Sequence, residues 1–131
     1  MKSRKKKKSK KTICLSKLRK EAWLKCATFI KLRDKGICFT CGATGCTGRN
    51  YHAGHYIPKS ICGALLYHDE RNIHGQDYKC NINLGGYGAA YGRHMVEVYG
   101  KEEVDVLWEL KKDKKTQKDE LYYKKIILYY D

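Results

Sequence analysis

Apolar positions between Ser16 and Lys35 recur at three- and four-residue spacing: Leu18, Ala22, Cys26, Phe29 and Ile30, with Trp23 beside them. That period places them on one stripe of a helix over residues 16–35, with Gly36 as its C-cap. The stripe reads as core-facing. Lys17, Arg19, Lys20, Lys25, Lys31 and Arg33 fall mostly on the remaining surface. Tyr91–Tyr99 predicts a short amphipathic helix closed by Gly100, and Lys101–Lys112 a second one carrying Val104, Leu107 and Trp108 on one stripe. Thr116–Asp119 reads as a capping box that opens a last helix with Tyr122, Tyr123, Ile126, Tyr129 and Tyr130. Those tyrosines suit either packing against the first helix or a partner surface, because amphipathic Tyr is favoured at interfaces. Residues 37–86 break the helical pattern. They are rich in Gly, Cys, His and Asn, the composition of loops and metal sites. No internal repeat is visible.

Length and charge refine this picture. A chain of 131 residues with 42% hydrophobic content supports one domain with a core. The net charge of +14 is unevenly spread: residues 1–20 carry 11 Lys/Arg and no acid, leaving 17 basic against 14 acidic residues, a surplus of +3, over residues 21–131. The expected organisation is a disordered basic arm over residues 1–15 and a single domain over 16–131. Within that domain lie an N-terminal helix (16–36), a metal-site segment (37–86) and C-terminal helices (87–131). The run KSRKKKKSKK is solvated and self-repelling. It reads either as a solubility tail or as an arm that contacts nucleic-acid phosphates through Lys5, Lys6, Lys7, Lys8, Lys10 and Lys11. Such contacts release counterions and carry no base information. The longest apolar runs, Ile126–Tyr130 and Ala64–Tyr67, are far too short to cross a membrane, and no apolar segment follows the basic N-terminus as in a signal peptide. The seven cysteines therefore point to a reducing compartment and to metal binding rather than a disulfide scaffold.

The middle segment carries the chemistry. Cys38-Phe-Thr-Cys41-Gly42 is a zinc knuckle: two thiolates in CxxC spacing can bite one ion, and the glycine permits the turn. Cys80, with Asp77 three residues before it, supplies a second pair, and Cys46 or Cys62 could replace Asp77 if the loops reach. Between the pairs lie His52-Ala-Gly-His55 and Arg71-Asn72-Ile-His74, and Asn81 follows the last cysteine. The order His, Asn, Asn inside a zinc frame resembles the ββα-metal, or HNH, nucleases. A neutral His can deprotonate water near neutral pH. An amide can orient the site, and a divalent ion can neutralise charge on the phosphate and leaving oxygen.

The resemblance then becomes closer. Ala22-Trp-Leu, Phe29-Ile-Lys-Leu-Arg-Asp34, Cys38-Phe-Thr-Cys-Gly42, Ala53-Gly-His-Tyr56, Asp69-Glu-Arg-Asn-Ile-His74-Gly-Gln76, Cys80-Asn81 and Tyr99-Gly-Lys-Glu-Glu-Val-Asp105 resemble the NinG (Rap) family of phage recombination endonucleases. The resemblance spans about residues 22–110. It implies structure-selective cleavage of branched DNA, such as Holliday junctions and D-loops, leaving 5′-phosphate and 3′-hydroxyl ends, in the cytoplasm of a phage-infected bacterial host. It implies an α+β fold in which a zinc-anchored ββα-metal (HNH-like) motif is flanked by N- and C-terminal helices. A β-hairpin would carry His55, a loop Asn72, and a helix beginning near Asn81. His55 would be the base and Asn72 the orienting residue. Cys38, Cys41, Asp77 and Cys80 would hold structural Zn2+, with Asp77 standing where the family pattern has Cys. Asn81 would hold a catalytic Mg2+ or Mn2+ ion. Gly54 stands where many HNH enzymes place a second ligand, and His52 is the expected substitute. Lys59 and Arg71 are candidate phosphate contacts. His74 is expected to order the loop, His68 to sit in a turn, and His94 to be a surface or core residue. Symmetric junctions suggest a homodimer. The alternatives are a non-catalytic zinc-knuckle nucleic-acid-binding protein and an interaction protein built on the tyrosine-rich last helix.

Overall fold

In the computed structural model, residues 2–131 are described, with side chains from residue 15 onward. The expected arm residues Lys5, Lys6, Lys7, Lys8, Lys10 and Lys11 thus lie outside the described side chains. The chain order is α1 (Lys2–Asp34), β1 (His52–His55), α2 (Ala64–Tyr67), β2 (Ile73–Gln76), α3 (Gly88–Tyr99), α4 (Lys101–Leu110) and α5 (Glu120–Tyr130). Short 3-10 turns precede β1 (Gly48–Asn50) and β2 (Glu70–Asn72), and a π-helical turn, Lys79–Asn83, follows β2. The architecture is α+β with one two-stranded sheet.

The predicted helices form, but α1 starts at Lys2 and so takes in the segment expected as a disordered arm, while α3 starts at Gly88 and α5 at Glu120. Cys26 and Ile30 of α1 are buried with Ile73 of β2, so the stripe faces the sheet and α5. Lys35 and Gly36 both have positive φ (54° and 76°), and this left-handed turn ends α1. Gly100, at φ 84°, separates α3 from α4. These two helices and α2 enclose a second core of Ile57, Cys62, Leu66, Tyr91, Met95, Val104 and Leu107. Trp108 stays 38% exposed and donates to the Tyr56 hydroxyl at 3.2 Å, so it closes the rim of this core instead of filling it.

Several expectations are corrected. The last helix is capped by Asp119, whose side chain accepts from Tyr122 N, while Thr116 N donates to Asp113. Asp119 is thus the group that satisfies an orphan N–H of the first turn. The tyrosines divide: Tyr123 is buried, Tyr130 reaches Cys26 Sγ at 3.7 Å, and Tyr129 is exposed. β1 and β2 do not form a tight hairpin, since residues 56–72 lie between them. Asn81 lies on the π-helical turn, and regular helix begins only at Gly88. Arg33 and Lys25 do not continue a free phosphate track. Arg33 donates to the carbonyls of Glu70 (2.8 Å) and Ile73 (2.7 Å), and Lys25 pairs with Asp131.

Two devices bring the strands together. Their register is His52↔Gln76, Ala53↔Gly75, Gly54↔His74 and His55↔Ile73. Asp34, at the end of α1, accepts from Gly75 N at 2.7 Å and is held by Arg33. Asn72 is fully buried; its Oδ1 accepts from Ile57 N (2.8 Å) and its Nδ2 donates to Ile57 O (3.1 Å) and Leu66 O (3.3 Å). One amide side chain thus ties the beginning and the middle of the long connection to the start of β2.

Candidate metal centre and adjoining cleft

The knuckle is a tight turn. Cys38 N donates to Ala43 O and Gly42 N to Cys38 O, each at 2.8 Å, and Gly42 has φ +79°. Asp77 leaves β2 with its Oδ1 accepting from Cys80 N at 2.8 Å, which turns Oδ2 toward Cys41 Sγ at 3.2 Å. The ligand atoms of Cys38, Cys41, Asp77 and Cys80 all lie within 4.8 Å of one another. A tetrahedral zinc with ordinary bond lengths spaces its ligands about 3.3–3.8 Å apart, so an S3O set of this kind fits the ion after small adjustments. Cys46 and Cys62, the alternative ligands, do not join the cluster. Cys46 Sγ turns to Ala43 O, and Cys62 packs in the core under α4.

Asp77 and Cys38 are held toward their charged forms, Cys41 and Cys80 toward their neutral ones. Burial pushes the Cys80 thiol up to about 12 and raises Cys41. Burial also acts on Cys38, but the Thr40 hydroxyl and three backbone N–H groups outweigh it and hold this thiol below its ordinary value. The Cys80 N–H bond holds Asp77 low. Zinc would deprotonate the remaining thiols outright. Thr40 is buried and 3.4 Å from Cys38 Sγ. It accepts from Gln76 Nε2 at 3.0 Å, so its own proton is free for the sulfur.

An open cleft of about 560 Å³ adjoins this corner, lined among others by Trp23, Gly54, His55, Lys59, Asn81 and Gly88. His55 stacks on Trp23, with centroids 5.1 Å apart and planes at 19°. Its Nε2 is 2.8 Å from Tyr67 O. A carbonyl only accepts, so the ring proton sits on Nε2 and Nδ1 is bare. Burial lowers the His55 pKa to about 4, so at neutral pH only about one ring in a thousand is charged.

Other site residues sort by their partners. His52 Nε2 is 2.8 Å from Arg49 O, and Nδ1 is 2.8 Å from Asn81 Nδ2. Both nitrogens are used, so His52 offers none to an ion; it orients Asn81. Asn72 does not reach the cleft and acts through the loop backbone. Arg71, expected at a phosphate, is instead held by Asp69 (2.6 Å) and Glu103. Lys59 is exposed at the cleft. His74 bridges the Tyr91 (3.1 Å) and Tyr99 (2.8 Å) hydroxyls, and Tyr91 donates to Gly54 O at 2.6 Å, so His74 orders the strand. His68 is buried against Tyr122, and half-exposed His94 contacts Glu97. The sequence did not single out Thr40 or assign a role to Gln76. Only the latter's place in the Asp69–Gln76 run pointed to it.

These features define a small α+β protein with a cysteine-rich metal corner beside a histidine-bearing cleft. The model of the family described as bacteriophage lambda NinG protein matches residues 1–131, and the chain belongs to that family. Over 89 residues it is 35% identical to protein ninG of Escherichia phage 933W (63% of this chain, 43% of the relative). Over the same length it is 34% identical to protein ninG of Escherichia phage lambda and 35% to that of Salmonella phage P22 (63% of this chain and 42% of the relative in each case). The chain thus spans less than half the length of these relatives. No solved structure matches it. No helix among the described residues is long and apolar enough to cross a membrane.

Asp77→Ala is expected to lower zinc affinity about tenfold or more, whereas Asp77→Cys retains the ion. Metal content by mass spectrometry after dialysis against a weak chelator checks this; full retention by Asp77→Ala would remove Asp77 from the ligand set. Burial also holds His68 at about 4 and His74 at about 3. Unfolded, these groups and His55 titrate near 6.5, so between those values the unfolded chain binds protons that the folded one does not. Stability is therefore full above about pH 6.5 and falls as pH drops toward 4. Denaturant midpoints are expected to be lower at about pH 5 than at pH 7.5. Equal midpoints would mean that the folded histidines are charged.

Proposed function

We propose that the protein is a metal-dependent DNA endonuclease of the HNH (ββα-metal) type that cleaves branched DNA, such as Holliday junctions and D-loops, during phage recombination. The observation that carries this reading is the bare Nδ1 of a neutral His55, fixed by Tyr67 O and Trp23 in a cleft that Asn81 also lines. Membership of the NinG family supports it.

In this reading His55 Nδ1 takes a proton from a water whose oxygen bonds to phosphorus. The P–O3′ bond breaks, and the departing 3′-oxygen is protonated by solvent. Magnesium or manganese bound at Asn81 would supply charge stabilisation for the phosphate and the departing oxygen. Asn72 keeps Leu66 O and Ile57 in place and so holds the loop that carries Tyr67 O. Lys59 and the first turn of α3, which begins at Gly88, face the cleft and can receive phosphate oxygens. The basic arm would add sequence-independent affinity that falls steeply with salt. The reaction would take place in the cytoplasm of the infected host, and two copies would cut a symmetric junction as a homodimer.

A labelled four-way junction with magnesium or manganese is expected to be cut by the wild type, and His55→Ala to lose about 10²–10⁴-fold in single-turnover rate. Binding without cutting under any divalent ion would favour a non-catalytic zinc-knuckle binder, and equal cutting by His55→Ala would overturn His55 as the base. Sedimentation with and without junction DNA is expected to show a dimer. A monomer under both conditions would remove that element.

A further inference from the structure

The position before His55 is Gly54, and its φ is ordinary, so the glycine answers a need for space. An ideal Cβ there would lie 1.9 Å from Gln76 Oε1 and 3.0 Å from Asn81 Oδ1. The Gln76 amide oxygen thus occupies the volume that a side chain at position 54 would fill. Gln76 reaches it from β2, on the sheet face it shares with its register partner His52.

The orientation of this amide is fixed. Nε2 donates to Thr40 Oγ1 (3.0 Å) and Gly86 O (2.9 Å), which uses both hydrogens. Oε1 must then point the other way. It is buried on a residue of 0% exposure and has no hydrogen-bond partner. A buried carbonyl left unsatisfied is costly, and here it lies beside a second amide oxygen. His52 Nδ1 accepts from Asn81 Nδ2, which turns Asn81 Oδ1 toward the same point above Gly54. Two neutral oxygens from separate elements therefore converge above Gly54, which with Asn81 lines the cleft that holds His55.

We propose that Gln76 Oε1 and Asn81 Oδ1 together form a site for a hard divalent cation, with Gln76 supplying from the neighbouring strand the ligand that Gly54 lacks. This rests on the nuclease reading only in that the ion is the one that chemistry would use. Hard cations favour oxygen donors, and magnesium keeps several waters and binds through few protein ligands plus phosphate. Both protein donors are uncharged, so phosphate must supply the neutralising charge and strengthen binding. The site is also coupled to the zinc corner: the Thr40 hydroxyl that meets Cys38 is the one that holds the Gln76 amide.

The chain contains two glutamines, Gln76 and the exposed Gln117, so 13Cδ-glutamine labelling gives a probe and an internal reference. Gln117→Glu assigns the signals. Substoichiometric Mn2+ added to the zinc-loaded full chain is expected to broaden Gln76 and leave Gln117 sharp, and Asn81→Ala to restore Gln76. Gln76→Met is expected to weaken Mn2+ binding about ten- to a hundredfold with zinc content unchanged. A Gln76 signal that stays sharp, or broadens no more than Gln117, overturns the site even if Gln76→Met fails to fold. Junction cleavage in Mn2+ with a sharp Gln76 would reject this site and keep the nuclease reading. A responsive Gln76 in a protein that never cuts would do the reverse.

Discussion

Two strands of four residues each cannot hold themselves together, because an isolated two-stranded ribbon is marginal in water. The pairing of β1 with β2 is nevertheless what places His52, Gly54, His55 and Gln76 in one register. Its support comes from outside the ladder. Asn72 ties the connection at Ile57 and Leu66, and Asp34 at the end of α1 accepts from Gly75 N. The cysteine corner pins the chain just beyond β2. A structural zinc contributes an apparent 10–16 kcal/mol in small domains, about as much as the whole net stability of a typical domain. Occupancy of the corner would thus add strongly to the support that Asn72 and Asp34 give the pairing.

Neutral polar groups make up most of the machinery around this pairing. His55, His68 and His74 are all held uncharged by burial, and Asn72, Gln76 and Asn81 add amides without charge. Burying such groups is costly unless they are hydrogen-bonded, and among their buried atoms only His68 Nε2 and Gln76 Oε1 lack a partner. That condition dictates the tautomers: Nε2–H of His55 goes to Tyr67 O, and Nδ1–H of His74 goes to a Tyr91 hydroxyl that donates to Gly54 O. The charged groups that touch this layer are paired, so little net charge reaches it. Most of the +14 resides in the first twenty residues, and Arg33 and Arg71, near the sheet, are neutralised by Asp34, Asp69 and Glu103.

The sequence by itself determined the helices and the cysteine part of the donor set. The three- and four-residue spacing in α1, the glycines at 36 and 100, and the stripes of α3 and α4 were legible because local periodicity and turn chemistry decide them. The same was true of Cys38, Cys41 and Cys80, since CxxC spacing carries its own geometry, whereas the fold chose Asp77 over Cys46 and Cys62 as the fourth member of the cluster. The tertiary structure alone decided the roles of individual polar side chains. His52 orients Asn81 because Arg49 O and Asn81 take its two nitrogens; Arg71 is an ion-pair residue because Glu103 on α4 meets it; and Gln76 reaches the space above Gly54 because strand register puts it there. Each of these depends on a partner distant in the chain, and hydrogen-bond acceptors such as backbone carbonyls leave no mark on residue identity.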